Sequence, residues 1–318
     1  MPEGPEVRKY ADALDAALSG HNVTLMEART REARRWLDEN QQLVLGRRID
    51  RVVSHGKHLI GYIDGPFFFH SHLMMWGRWL TFGPLASKRS KSKRSKPLAL
   101  PEKERRERAR IVVGGAAAIL LSAPIFNVGA GDPYDKVEIL RTLGPDVLPY
   151  NRQFDSKEFQ RRLLLPEYHA VEIGAALLNQ QIVAGLGNYL RAEILFGCKL
   201  NPWLRVSELS MRDLKCLTST IPRLAHAAYR LGATAGEQDR NRMAADSTLV
   251  YQQGREYGTR HMVFRRTNLP CLHCGERIKQ LRQKTHNAMA GDEERTRIMY
   301  FCAKCQKVSD SVFPAQSH

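Results

Sequence analysis

The 318-residue chain is 43% hydrophobic and 26% charged, which excludes fibrous and disordered classes and leaves room for two buried cores. Its 49 Lys+Arg against 33 Asp+Glu give a formal net charge of +16, pointing to a polyanionic partner such as nucleic acid or an anionic membrane surface. No apolar run approaches the ~18 residues of a membrane span, and the start MPEGPEVRKY is not a signal peptide. The chain is therefore expected to be intracellular, with no membrane partner.

Val7, Ala11, Leu14 and Leu18 recur at helical spacing and predict an opening helix from Gly4 to about Leu18. From about His21 to Asn127, short runs rich in Val, Ile and aromatics (49–53, 58–63, 67–72, 110–113 and 118–121) alternate with Gly, Pro, Asp or Asn. This pattern predicts antiparallel β structure, a sandwich or barrel. The segment SKRSKSKRSKPLALPEKERRERAR is low in complexity and charged. Residues 87–96 are expected to form a disordered basic loop, and 102–110 to extend a strand or form a short charged helix. From Lys136 the period becomes helical, at about 135–142, 155–164, 169–183, 188–197, 206–215 and 217–230. Residues 143–151 (LGPDVLPYN) are expected to link two domains, 232–246 to form a mobile loop, and 261–264 a short strand.

Cys271, Cys274, Cys302 and Cys305 form two C-x2-C pairs, which can close a tetrahedral site around one Zn2+. Four sulfur ligands leave no open coordination position, so the zinc is expected to be structural. The 27 residues between Cys274 and Cys302 exceed the ~15–20 of common zinc ribbons, and the excess is placed in a hairpin tip, KTHNAMAGDEE. His273 and His286 are read as surface histidines, and Cys198 and Cys216 as packed, reduced thiols in helices.

The run Gly185-Leu186-Gly187-Asn188 separates two predicted helices. A glycine pair before a helix N-terminus suits a phosphate, but it also suits an ordinary capped turn. Asn188 either donates its amide to a phosphate or caps the helix, and Arg191 either binds phosphate or lies on a solvated face. At the amino end, removal of Met1 would leave Pro2 with a free secondary amine, partly unprotonated near neutral pH because α-amino groups titrate near ~7.7–8.0. Such an amine can attack a sugar C1′ and form an iminium, with Glu3 beside it to move protons.

These motifs together resemble the formamidopyrimidine-DNA glycosylase/endonuclease VIII family over nearly the whole chain. The resemblance rests on MPEGPEV, HGK (55–57), HLMMWGRW (72–79), LGPDVL (143–148), GLGNYLRAEIL (185–195), PCLHCGERI and RIMYFCAKCQ, in that order, and GLGNYLRAEIL is closer to the endonuclease VIII branch. It implies an α+β multidomain fold: an antiparallel β-sandwich with a long N-terminal helix (1–135, with a basic insertion at about 87–108), a linker (136–151), a helix–two-turn–helix domain (152–260) and a four-cysteine zinc finger (261–307).

The resemblance implies that Pro2 is the Schiff-base nucleophile and Glu3 the catalytic carboxylate. Lys57 corresponds to a lysine that contacts phosphate and assists β-elimination, Asn188 to a phosphate-binding asparagine, and Arg297 to a finger arginine that grips phosphate and supports δ-elimination. Met74, Met75 and Trp76 stand where relatives insert side chains into the base stack; at least one is expected to be the wedge, Met75 foremost, the alternative being that one or two merely pack in the core of the strand. His72 either contacts phosphate or is a core histidine.

The expected protein is a monomeric base-excision enzyme acting on double-stranded DNA that contains damaged bases or abasic sites, located with the DNA. Oxidised pyrimidines are the favoured substrates. The alternatives are an oxidised-purine enzyme of the same family or an inactive zinc-ribbon DNA-binding protein. The basic insertion fits neither common family pattern and reads as a DNA tether, a nuclear address or a solvated loop.

Overall fold

In the computed structural model, which describes residues 2–83, 101–251, 258–285 and 295–309, the chain divides into two units, Met1–Thr142 and Leu143–His318. The first unit opens with helix α1 (Gly4–Leu18), strand β1 (Val23–Ala28) and helix α2 (Arg31–Val44). Strands β2 (Ile49–His55), β3 (His58–Ile63), β4 (Phe67–His72), β5 (Arg78–Phe82), β6 (Glu107–Val113), β7 (Ala116–Leu121) and β8 (Ile125–Ala130) follow, and short helices α3 (Pro133–Lys136) and α4 (Glu138–Thr142) close the unit. Two four-stranded antiparallel sheets result, ordered β1-β6-β7-β5 and β2-β3-β4-β8.

Helix α1 touches both sheets, through β2 and β3 on one and β5 and β7 on the other. Its stripe Val7, Ala11, Leu14 and Leu18 is buried with Leu59, Phe69, Trp79, Ile111, Leu120 and Phe126 in one core. Within the β2-β3-β4-β8 sheet, Gly61 leaves the space that the Phe69 ring occupies: a Cβ there would lie 2.0 Å from the ring of Phe69, its cross-strand partner.

Helix α2 lies inside the stretch expected to be all β. Only Ala33, Leu37 and Val44 of its fourteen residues are buried, so its apolar stripe is too narrow to stand out among its charges. Strand β6 realises the extended reading of 102–110 from Glu107 onward, so the proposed insertion ends before 107. The basic loop at 87–96, the hairpin tip beyond Thr285 and His286 lie outside the described residues.

The second unit comprises α5 (Ser156–Leu163), α6 (Ile173–Ala176), α7 (Asn188–Gly197), α8 (Met211–Leu231), α9 (Glu237–Ala245) and the antiparallel ribbon of β9 (Lys279–Thr285) and β10 (Arg295–Phe301). Several expectations are corrected here. The helix expected over 169–183 is reduced to four residues, because the N–H groups of Ile173 and Gly174 bond Leu204 and Pro202 across the chain instead of a preceding turn. The two helices expected at 206–215 and 217–230 are one, α8, which starts at the Ser210 cap and stops at left-handed Gly232. The loop expected at 232–246 contains α9, anchored by buried Met243.

Residues 143–151 are no free linker, since Val147 and Leu148 belong to the second core and Asp146 bridges to Ala184. Residues 261–264 form no strand; their amides bond a buried carboxylate instead. Helices and finger share one core, in which Leu190, Ile194 and Leu195 cluster with Ile278, Met299 and Phe301, so they form a single unit. Cys198 and Cys216 are joined as a disulfide between the end of α7 and α8, which corrects their reading as reduced thiols.

Candidate nucleic-acid site

Pro2 and Glu3 lead directly into α1. Glu3 is 3% exposed and caps the helix, and its N–H donates to Glu6 Oε2 at 3.0 Å. The Glu3 carboxylate fixes the start of the helix and, with it, the residue before. Helix α1 packs along β2, and β2 runs into the turn His55-Gly56-Lys57-His58. Gly56 has φ +56°, a left-handed backbone that glycine adopts without strain. Lys57 is buried.

Four histidines surround this turn. His55 Nδ1 lies 3.0 Å from the Tyr134 hydroxyl, and His58 Nδ1 lies 2.9 Å from His70 Nε2. With the Asn127 amide oriented to donate to Glu32 Oε2 (3.2 Å), its oxygen accepts from His70 Nδ1 at 3.3 Å. That fixes the tautomers: His70 carries its proton on Nδ1, so its bare Nε2 accepts from His58 Nδ1. Burial, then the positive fields of His72, His70, His55 and Lys57, hold the His58 imidazole well below its ordinary range. Burial lowers His70 to about 3, helped by His72, and burial with the Lys57 charge lowers His72 to about 4.

Neutral His72 can therefore accept, and its Nδ1 takes the N–H of Met74 at 3.1 Å. Met74 has φ +52°, and Gly77 N–H closes the turn onto Leu73 O at 2.8 Å. A side chain at Gly77 would meet Leu73 O at 2.4 Å. The turn buries Leu73 and displays Met74, Met75 and Trp76 at 43%, 60% and 78% exposure, so the alternative that one or two of the three pack in the core does not hold.

In the second unit, Gly187 is the N-cap of α7, which corrects the reading of Asn188 as the cap. The Asn188 amide instead donates from Nδ2 to Ile298 O at 2.9 Å. Arg191 has no exposed surface: Nη1 donates to Gly174 O (3.1 Å) and Gln283 Oε1 (3.2 Å), and Nη2 to Asn188 Oδ1 (2.6 Å) and Ile298 O (3.1 Å). Both readings of Arg191, as a phosphate ligand and as a solvated residue, are corrected. Helix α7 is buried from Tyr189 to Phe196, so a charge on it must find partners inside the protein. Arg297 is exposed on β10.

The ligand sulfurs of Cys271, Cys274, Cys302 and Cys305 all lie within 4.8 Å of one another. The separations Cys271–Cys305 (3.9 Å) and Cys274–Cys302 (3.5 Å) bracket the ~3.8 Å edge of a tetrahedron with ~2.3 Å metal–sulfur bonds. These residues fit a metal ion. His273 is exposed and stacks on Phe196, outside the cluster.

The residues that brace the site, His58, His70, Gln283 and Glu193, gave no signal as functional groups. Glu193 is buried and accepts from the N–H groups of Met262, Val263 and Phe264, tying α7 to the approach of the finger. The one available hint was an Arg and a Glu inside the otherwise apolar run YLRAEILF.

Residues 1–115 match the model of the formamidopyrimidine-DNA glycosylase N-terminal domain, and residues 143–239 that of the formamidopyrimidine-DNA glycosylase H2TH domain. Proteins called endonuclease 8 from Pectobacterium carotovorum (27% identity over 307 residues) and Salmonella arizonae (28% over 310) each align with 96% of this chain and with their own full length. Among solved structures, Lactococcus lactis Fpg in complex with abasic-site DNA superposes with a TM-score of 0.69 at 22% identity, covering 96% of this chain and 99% of that one. MutM in complex with carbocyclic 8-oxo-G DNA gives 0.67 at 23% identity, with the same coverage. A β-sandwich that begins with a proline, coupled in sequence to an H2TH unit with a four-cysteine ribbon, defines the class: DNA glycosylases. The chain belongs to the formamidopyrimidine-DNA glycosylase/endonuclease VIII family.

Proposed function

We propose that the protein is a bifunctional DNA glycosylase and abasic-site lyase of base excision repair, with oxidised pyrimidines as favoured substrates. The observation that carries this reading is the pairing of Pro2 with a buried, helix-capping Glu3 at the head of α1. Once Met1 is removed, the Pro2 nitrogen bonds C1′ of the damaged nucleotide as the glycosidic bond breaks, and the base leaves with a proton. Cleavage of the C1′–O4′ bond, with a proton delivered to O4′, opens the sugar to the iminium, which acidifies the C2′ hydrogen; its loss expels the 3′ phosphate, a second elimination expels the 5′ phosphate, and water then releases the sugar remnant from Pro2. Glu3 carries protons to and from the opened sugar. Lys57, Asn188 and Arg297 hold phosphates, while Met75, with Met74 and Trp76, fills the gap left by the extruded base. His72 supports this loop through the N–H of Met74. Zinc, when bound by the four thiolates, supplies a structural cross-link with no open coordination position. The protein acts as a monomer on damaged double-stranded DNA, with which it is located.

The full-length alignment with proteins called endonuclease 8 supports pyrimidine lesions. The oxidised-purine alternative draws on the MutM complex with carbocyclic 8-oxo-G DNA. Membrane attachment has no support from helices, since none among the described residues is long and apolar enough to cross a bilayer.

Duplexes carrying thymine glycol, 8-oxoguanine or an abasic site, incubated with the protein and borohydride, test the reading. A covalent adduct forms on all competent substrates and most rapidly on thymine glycol. No adduct on any of them overturns the lyase mechanism, and preference for 8-oxoguanine overturns the pyrimidine assignment.

A further inference from the structure

The carbonyl of Ile298 receives two donors, half-buried Asn188 Nδ2 at 2.9 Å and buried Arg191 Nη2 at 3.1 Å. Ile298 is the residue next to Arg297 on β10, and Gln283 on β9 is directly opposite Arg297 in the ribbon register. Gln283 is buried; its Oε1 accepts from Arg191, and its Nε2 donates to Glu172 Oε2 (2.8 Å) and Pro202 O (2.9 Å). One guanidinium therefore holds the strand positions beside and across from Arg297. A further contact, on Asn188 Oδ1 at 2.6 Å, fixes which end of that amide is the donor.

We propose that Arg191 is a positioning residue that locks Asn188 and Arg297 into one phosphate-gripping unit, an inference that rests on the phosphate roles proposed above. The arrangement requires a planar fork with several donors, which Lys cannot replace. It also requires Gly174, since a Cβ there would lie 2.3 Å from Gln283 Oε1 and push the amide off the guanidinium. A buried network of this kind holds as a whole, because each acceptor left alone bears its full desolvation cost. The Asn188 amide nitrogen carries two hydrogens, and only one is directed at Ile298 O, so the orientation set by Arg191 also presents a donor to an incoming phosphate.

The test is a double-mutant cycle on the full chain, with zinc content and circular dichroism checked for each variant. Binding to a duplex carrying a tetrahydrofuran abasic analogue is measured over a range of salt, and β- and δ-elimination products are resolved on an abasic-site duplex. Arg191→Lys is expected to weaken binding about tenfold, to lower the salt slope by about one counterion, and to reduce the δ fraction, as Arg297→Ala does. In the Arg191→Lys background, Arg297→Ala should cost less than about twofold more. Lys preserves charge, and residue 191 itself touches no solvent, so a merely structural role would leave the slope unchanged. Additive losses, or a wild-type slope and δ fraction in Arg191→Lys, overturn the proposal. If Arg191→Lys does not fold, Gln283→Met is carried through the same cycle and judged by the same additivity. The binding cycle is read independently of chemistry. Absence of borohydride adducts in the wild type would therefore defeat the lyase reading, whereas additivity in binding would defeat this one.

Discussion

In the proposed mechanism the nitrogen of Pro2 becomes a nucleophile only when Met1 is gone, because an amide nitrogen has no basic lone pair to offer C1′. A protein that retains Met1, or carries residues ahead of Pro2, is expected to bind abasic-analogue DNA within about twofold of the mature form. It should lose cutting and borohydride trapping by more than about a thousandfold; trapping at the wild-type rate would remove Pro2 from the mechanism. At this scale the sequence was legible where structure is local: the stripe Val7, Ala11, Leu14 and Leu18 marks α1, whereas Pro2, Glu3 and the HGK turn take their reading from the other motifs along the chain. Arg191 was not legible in this way: its four acceptors come from Gly174, Asn188, Gln283 and Ile298, and only the packing of α7 against the ribbon reveals that its charge is spent internally.

Two elements carry their role through geometry that several residues share. In the turn after β4, Met75 and Trp76 are held outward by the His72 acceptor and the close approach at Gly77. Replacing both with Ala should change stability by less than about 0.5 kcal/mol each, since exposed side chains contribute little to the core. Excision from duplex DNA should nevertheless fall about tenfold, with a smaller loss on single strands. Unchanged excision kinetics would show that the turn is not the wedge. In the ribbon, Cys302→Ser removes one of four thiols, itself buried, from a cluster that fits a metal. Metal analysis should show zinc falling from one per chain to well below that, and the second unit should lose at least about 3 kcal/mol of stability. Full zinc occupancy with an unchanged unfolding midpoint would contradict the assignment. The β runs at 49–53, 58–63 and 67–72 were readable because β-branched and aromatic residues cluster there between turn residues. Helix α2 and the shortened α6 were not: in the first few apolar residues mark the buried face, and in the second long-range backbone bonds replace helical ones.

Over the whole molecule, the two units have separate cores, and each has its own chemical point of failure. In the first unit, His70 and His72 titrate at about 3 and 4, below the ~6.5 of an unfolded histidine. Between pH 6.5 and 4 the unfolded chain binds protons that the folded one refuses, so stability is present above about pH 6.5 and is lost as pH falls toward these lower values. The loss should be on the order of 3 kcal/mol for buried His70 by pH 4. The measurement is the pH dependence of unfolding for wild type against His70→Asn: the variant should show a flatter slope in this window, and identical slopes would refute the linkage. Chelation should lower the second unit's transition and leave the first unit's in place.

By itself, the sequence determined the order of the motifs, the opening helix, the strand-rich first half, the four thiols and the basic surplus, because each is written in spacing or composition along the chain. The tertiary structure decided which charged groups face solvent and which face inward, that the finger and the helices share one core, and that all three residues of the turn at 74–76 are displayed. The physical reason is that burial is set by what packs opposite. A guanidinium on α7, a histidine on β4 and a glutamine on β9 acquire their roles from partners distant in the chain, through close packing and the requirement that every buried polar group be satisfied.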